Sequence, residues 1–153
     1  MSIELYTGKA GTGKSTLLML IQDELNDKSF VVAAPTGVAA LNVSGLTIHR
    51  LFAFRKELNG NLDAYRPPEF IKDLQVLIID EISMLEADIF DKLDILARKI
   101  RKVDEPFGGI QLILSGDFLQ LPPIKSDNFC FEAFSWDEVI HETFYFDKII
   151  RQN

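Results

Sequence analysis

The run Gly8-Lys9-Ala10-Gly11-Thr12-Gly13-Lys14-Ser15 constrains this chain more than any other feature. Ahead of it, residues 3–7 are short and apolar. Behind it, residues 16–25 place Leu17, Leu18, Leu20, Ile21 and Leu25 at helical intervals. The sequence therefore predicts a strand, a glycine loop and a helix in direct succession. Glycines let consecutive backbone N–H groups turn into one hollow, and the first turn of the following helix adds partial positive charge. A polyphosphate fits such a hollow, with Lys14 reaching its terminal phosphates and the Ser15 hydroxyl ligating Mg²⁺. The bland alternative is an ordinary glycine-rich turn with an exposed lysine, and the matching flanks on both sides argue against it.

The rest of the chain alternates in the same way. Residues 30–34 form a second buried-type strand, closed by Pro35 and followed by Gly37, and two short helical pieces are expected at 38–41 and 47–51. Residues 54–73, with Asn59-Gly60-Asn61 and Pro67-Pro68, are read as a small surface insertion. Val76-Leu77-Ile78-Ile79 is a continuous apolar run of the kind covered on both faces of a sheet. The clearest helix is 87–102, with Ile89, Phe90, Leu93, Leu96, Ala97 and Ile100 on one stripe and Asp88–Lys92 and Asp94–Arg98 as i to i+4 pairs. A strand at 111–114, an aromatic-rich segment (Phe129, Phe131, Phe134, Trp136) and a last strand at 143–150 complete the pattern. Alternating strands and helices mean an α/β domain with a mostly parallel sheet.

Three further groups carry chemistry. Asp80-Glu81 ends the run 76–79, at the carboxyl end of a strand, where open α/β sheets place their ligands. One carboxylate there can hold a Mg²⁺ shell and its neighbour can orient or deprotonate a water; alone, such a pair is as often a solvated turn. An acid that activates water favours hydrolysis over transfer to a small acceptor. Gly116-Asp117-Phe118-Leu119-Gln120-Leu121-Pro122-Pro123 ends another strand on the same edge. The Gln120 amide is equally a reader of the γ-phosphate or one polar group in a loop closed by prolines.

Composition sets limits. The 153 residues suit one domain with a single sizeable core, and 47% hydrophobic with 25% charged residues excludes a disordered chain. No apolar run approaches the roughly 18 to 20 residues of a bilayer crossing, the start lacks a secretory pattern, and Cys130 is the one cysteine. An intracellular, reducing compartment (cytoplasm, nucleus or mitochondrion) is the expectation. The formal charge of -7 weighs against extensive phosphate-backbone binding. Against that, Arg50, Arg55 and Lys56 form a small basic cluster, while Asp127, Glu132, Asp137, Glu138, Glu142 and Asp147 make the far end acidic.

Read together, 8–16, then Ala34-Pro35-Thr36-Gly37-Val38-Ala39-Ala40 with Thr47-Ile48-His49, then Ile79-Asp80-Glu81, then 116–123 resemble motifs I, Ia, Ib, II and III of superfamily-one helicases of the RecD-like, 5′-to-3′ group. Residues 90–101, running into Phe107-Gly108-Gly109-Ile110-Gln111-Leu112, resemble the signature of the PIF (petite integration frequency) helicases. The likeness holds in correct order from Gly8 to Asn153. It implies a P-loop NTPase with a RecA-like three-layer fold, the first of two motor domains of an ATP-dependent DNA helicase, with ATP and Mg²⁺ as cofactors.

By that resemblance Gly8, Ala10, Gly11, Thr12, Gly13, Lys14, Ser15 and Thr16 bind the nucleotide, and Ser15 and Asp80 hold the metal. Glu81 is then the general base, Gln120 couples nucleotide to DNA, and Arg151, in Arg151-Gln152, approaches the γ-phosphate. Single-stranded DNA is expected on Pro35, Thr36, Gly37, Thr47 and His49, through amides, hydroxyls and a ring face. By itself His49 is more often a plain surface histidine, Phe52 is read as core, and Phe54 is open between core and surface. The insertion at 54–73 corresponds in position to the family's wedge. The partners implied are single-stranded DNA, weakly held by this chain alone, and a second motor domain, with no membrane. Only seven residues precede the loop and the chain stops at Asn153. A domain that folds, binds nucleotide weakly and hydrolyses it poorly is therefore the expectation. A non-catalytic P-loop binding module is the second reading; a small-molecule kinase lacks an acceptor site or lid.

Overall fold

The computed structural model describes residues 3–53 and 67–148. The readings of Phe54, Arg55, Lys56, the turn at 59–61 and Arg151 lie outside the described residues. In chain order the elements are β1 (Glu4–Gly8), α1 (Lys14–Glu24), β2 (Phe30–Ala34), α2 (Gly37–Asn42), β3 (Leu46–Thr47), α3 (Ile48–Leu51), β4 (Val76–Ile79), α4 (Ala87–Arg101), β5 (Gln111–Gly116), α5 (Trp136–Val139) and β6 (Glu142–Phe146). The strands form one six-stranded sheet in the order β3-β2-β4-β5-β1-β6. Every neighbouring pair is parallel, so all the carboxyl ends emerge along one rim.

Strand alternation divides the apolar side chains between two faces. Ile79 and Leu114 face a large core with Ile48, Leu51, Phe52, Phe90 and Phe107, while Ile78 and Ile113 face a smaller one with Leu18 of α1. Helices thus cover both faces of the sheet, giving three layers. β4 is buried at all four positions, as its unbroken apolar sequence requires. On α4 the expected stripe holds: Phe90, Leu93, Leu96 and Ala97 are buried, with Ile89 and Ile100 packed at its edge. Both expected pairs form, Lys92 with Asp88 at 3.4 Å and Arg98 with Asp94 at 3.0 Å. The second is not a surface pair, because Asp94 is buried and also accepts from the Phe107 N–H at 2.7 Å.

Several expectations need correction. The insertion read as surface through Asp73 returns to the core earlier, in a 3-10 turn at Glu69–Lys72 whose Ile71 is fully buried. The cause is Arg101: its guanidinium donates to the carbonyls of Ile71, Lys72 and Leu74 and to that of Gly108, tying this segment to α4. The two-residue β3 was not foreseen, since so short a strand has no periodicity to read. α1 begins at Lys14, inside the glycine loop, and of its apolar residues only Leu18 is fully buried; Leu20 is exposed. The third core strand continues to Gly116 and the last stops at Phe146.

Candidate functional site

Three strand ends meet at the middle of the rim. β1 delivers the glycine loop, β4 delivers Asp80-Glu81, and β5, between them in the sheet, delivers Gly116, Asp117 and Gln120. Together they line a cavity of about 400 Å³ whose wall comprises Ala10, Gly11, Gly13, Lys14, Ser15 and Thr16 on one side and Asp80, Glu81, Gly116, Asp117 and Gln120 on the other.

The loop has the shape its glycines permit. Gly13 sits at φ 92, ψ 12, in the left-handed region that a side chain would strain, immediately before α1. Thr12 is buried and its hydroxyl donates to the Lys9 carbonyl at 2.7 Å, so it braces the loop from within and does not line the cavity. Gly8 likewise lies outside the lining, at the end of β1. The Lys14 ammonium donates to the carbonyls of Gly8 and Lys9 at 2.5 and 2.9 Å. A cation folded back onto carbonyl oxygens is held by weaker acceptors than a phosphate would offer.

The acids are arranged with similar economy. Glu81 has φ 54, ψ 41, a left-handed conformation costing a non-glycine residue roughly 1–2 kcal/mol. Asp80 supports it: its Oδ1 accepts from the Glu81 N–H at 2.9 Å, leaving Oδ2 for a ligand. Burial, first, and then the charge of Asp80 raise the Glu81 carboxyl above the usual carboxylate range; Lys14 opposes the shift and Asp117 adds to it. Behind the pair, the Cys130 thiol is buried, pushed up to about 12 by desolvation, and donates to the Ile82 carbonyl at 3.4 Å. It fastens the turn that follows the acids.

Asp117 was not singled out as a site residue, although it stands at a strand tip as Asp80 does. Its Oδ1 accepts from the Leu119 N–H, and its carbonyl accepts from the Gln120 N–H, so it builds the turn that presents Gln120. Gln120 is exposed and lies on the cavity lining.

Among the described residues no cluster of three or more His, Cys, Asp or Glu forms a ready-made metal cage. The Ser15 hydroxyl and the Asp80 carboxylate are oxygens on one cavity, with the carboxylates of Glu81 and Asp117 on the same lining. That set fits Mg²⁺, which takes one or two protein oxygens and completes its shell with water and substrate phosphates.

The residues read as a DNA surface occupy the other end of the rim. Ala34 pairs with Thr47 in register, which brings Pro35-Thr36-Gly37 beside Thr47-Ile48-His49. The Thr36 hydroxyl accepts from the Ala39 N–H and caps α2; that of Thr47 accepts from the Arg50 N–H and caps α3. Each hydroxyl keeps its own hydrogen for an outside acceptor. Gly37, His49 and Arg50 are exposed. A second cavity of about 360 Å³, between α1 and α2, shares Ser15, Asp80 and Glu81 with the first. The acidic pair is thus a partition whose far side faces α2.

A glycine loop of the P-loop pattern opposite a pair of strand-end carboxylates, on the rim of a three-layer parallel sheet, places the chain in the class of P-loop nucleoside-triphosphatase domains with a RecA-like fold. The family model described as PIF1-like helicase matches residues 2–153. The chain belongs to that family. It is 45% identical to the ATP-dependent DNA helicase PIF1 of Danio rerio over 96% of this chain and 25% of that protein. It is 41% identical to the ATP-dependent DNA helicase RRM3 of Saccharomyces cerevisiae over 96% and 23%. Of solved structures, Bacteroides Pif1 bound to single-stranded DNA superposes with a TM-score of 0.85 at 36% identity, covering 99% of this chain and 40% of that one. The Bacteroides helicase in complex with ADP-AlF3 and single-stranded DNA gives the same score. The chain spans about a quarter of the length of these curated relatives. Among the described residues no helix is long and apolar enough to cross a membrane.

Proposed function

We propose that this chain is the nucleotide-binding motor domain of an ATP-dependent 5′-to-3′ DNA helicase, coupling ATP hydrolysis to movement along single-stranded DNA and to unwinding. The observation that carries the reading is the shared cavity: Lys14, Ser15, Asp80, Glu81 and Gln120 reach it from three separate strands.

The amides of residues 10–16 receive the phosphates, and Lys14 leaves the Gly8 and Lys9 carbonyls for the β- and γ-phosphate oxygens. Ser15 and Asp80 are the residues that would hold Mg²⁺, which when bound neutralises charge on those oxygens. Glu81 takes a proton from the water that attacks the γ-phosphorus as the bond from that phosphorus to the ADP oxygen breaks; its raised affinity for protons suits a base. Gln120 donates its amide to a γ-phosphate oxygen, so its turn senses whether that phosphate is present. Arg151 is proposed to approach the same phosphate. Pro35, Thr36, Gly37, Thr47 and His49 take the backbone of single-stranded DNA, whose sequence such contacts do not read. A second motor domain is the implied partner, closing the nucleotide cleft, and the compartment is an intracellular one.

Steady-state ATP hydrolysis with and without single-stranded DNA tests this. Turnover that DNA stimulates, falling about a hundredfold or more in Glu81→Gln while nucleotide binding persists, is the expected result. Binding without any turnover favours the reading of a non-catalytic nucleotide-binding module. Transfer of phosphate to a sugar or nucleoside in preference to water overturns both.

A further inference from the structure

Two buried side-chain oxygens among the described residues have no hydrogen-bond partner, Ser83 Oγ and Ser115 Oγ. A buried hydroxyl left unpaired is a standing cost, and native structures rarely keep one without a use. Ser83 lies off the sheet, in the turn Ile82–Met84. Ser115 is fully buried within β5, one residue before the loop that carries Asp117 and Gln120.

The sheet register defines its surroundings. On one side Ser115 pairs with Tyr6. On the other, the β4–β5 ladder runs to Ile79↔Leu114, so its next step sets Asp80 beside Ser115. Ile113 and Ile78 belong to the core under α1, and Leu114 and Ile79 to the opposite one. By alternation, Ser115 and Asp80 therefore share the α1 face, below the glycine loop. The Tyr6 hydroxyl is committed, donating to Glu4 Oε2 at 2.7 Å. Asp80 has one oxygen engaged by the Glu81 N–H and one open.

We infer that Ser115 is a positioning residue for the metal-holding carboxylate: its hydroxyl donates to Asp80 when the metal-nucleotide complex fills the cavity, and fixes the orientation in which Asp80 meets the Mg²⁺ shell. The inference rests on the reading of this cavity as a Mg²⁺-nucleotide site. Its physical content is a difference between two states. Without ligand the hydroxyl makes no hydrogen bond, so removing it costs the fold nothing; with ligand the same removal loosens the metal's outer shell, an effect commonly worth about tenfold or more in metal affinity.

The test uses Ser115→Ala in the 153-residue chain, with ADP as the probe, titrated with Mg²⁺ and separately with a chelator. Without Mg²⁺, wild type and variant bind ADP equally. With it, the enhancement seen in wild type shrinks about tenfold in the variant. Thermal unfolding adds the second readout: the unliganded variant melts at or above wild type, while the rise produced by Mg²⁺ and ADP is smaller. Ser115→Cys, with a weak donor of similar size, falls between the two. An unchanged Mg²⁺ enhancement in Ser115→Ala overturns the inference alone, as does a drop in unliganded melting temperature that accounts for the whole difference. Failure of wild type to bind ADP in either condition overturns the nucleotide reading and this inference with it.

Discussion

Gly108 shows how much a single position can decide. It has φ +60, and a Cβ built on it would lie 2.6 Å from the Ala97 carbonyl oxygen, closer than such atoms approach. Its own carbonyl accepts from Arg101 Nε at 2.6 Å, and the same guanidinium holds the carbonyls of residues 71, 72 and 74. An alanine there meets backbone strain and a backbone clash together. Gly108→Ala is expected to destabilise the chain by about 2 kcal/mol or more, read as a lower urea midpoint at unchanged slope. In the sequence this glycine stood out as one member of the stretch 107–112 that resembles the family signature. That its hydrogen atom fills a slot between α4 and the turn behind it depends on contacts no local pattern encodes.

Elements differ in how openly their sequences declare them. α4 was legible because its stripe, its i to i+4 charges and its terminal bases all point the same way. What its sequence hid was the unequal worth of its two ion pairs. Lys92 and Asp88 are both more than half exposed, whereas Asp94 is 7% exposed and serves Arg98 and the Phe107 amide at once. Asp94→Ala is therefore expected to cost about 3 kcal/mol, because it orphans a buried N–H and strips a partly buried cation of its closest partner. Lys92→Ala should stay within about 0.5 kcal/mol. Urea unfolding of the two variants side by side checks the contrast. α1 erred in the other direction: Leu20 completes a helical pattern and yet is 58% exposed, since periodicity records spacing and cannot say how far the covering layer extends.

At the scale of the molecule, the order β3-β2-β4-β5-β1-β6 collects on one rim residues far apart in the sequence. The candidate nucleotide residues were legible as motifs. The convergence of all but Gly8 and Thr12 on one cavity followed from a topology that the alternation of elements had already narrowed, while the place of Ser115 beside Asp80 became readable only through the register. The charge of the whole chain, -7, bears on the DNA reading. Amides, the hydroxyls of Thr36 and Thr47, and His49 and Arg50 make for few displaced counterions. Single-stranded DNA binding by this chain is expected to be weak, its affinity falling with salt at a logarithmic slope no steeper than about -2. Fluorescence titrations of an oligonucleotide across a salt series measure it, and tight binding with a steep slope would refute the assignment of so modest a surface.

β4 has Ala33 of β2 on one flank and Leu114 of β5 on the other, both against Ile79, and no exposed residue of its own. Strands zipped on both sides and sealed above and below do not slide past one another. On the proposed function, whatever shifts when the nucleotide changes has to be the loops along the rim, the turn that carries Gln120 among them, while the sheet stays still as the anvil against which they are worked.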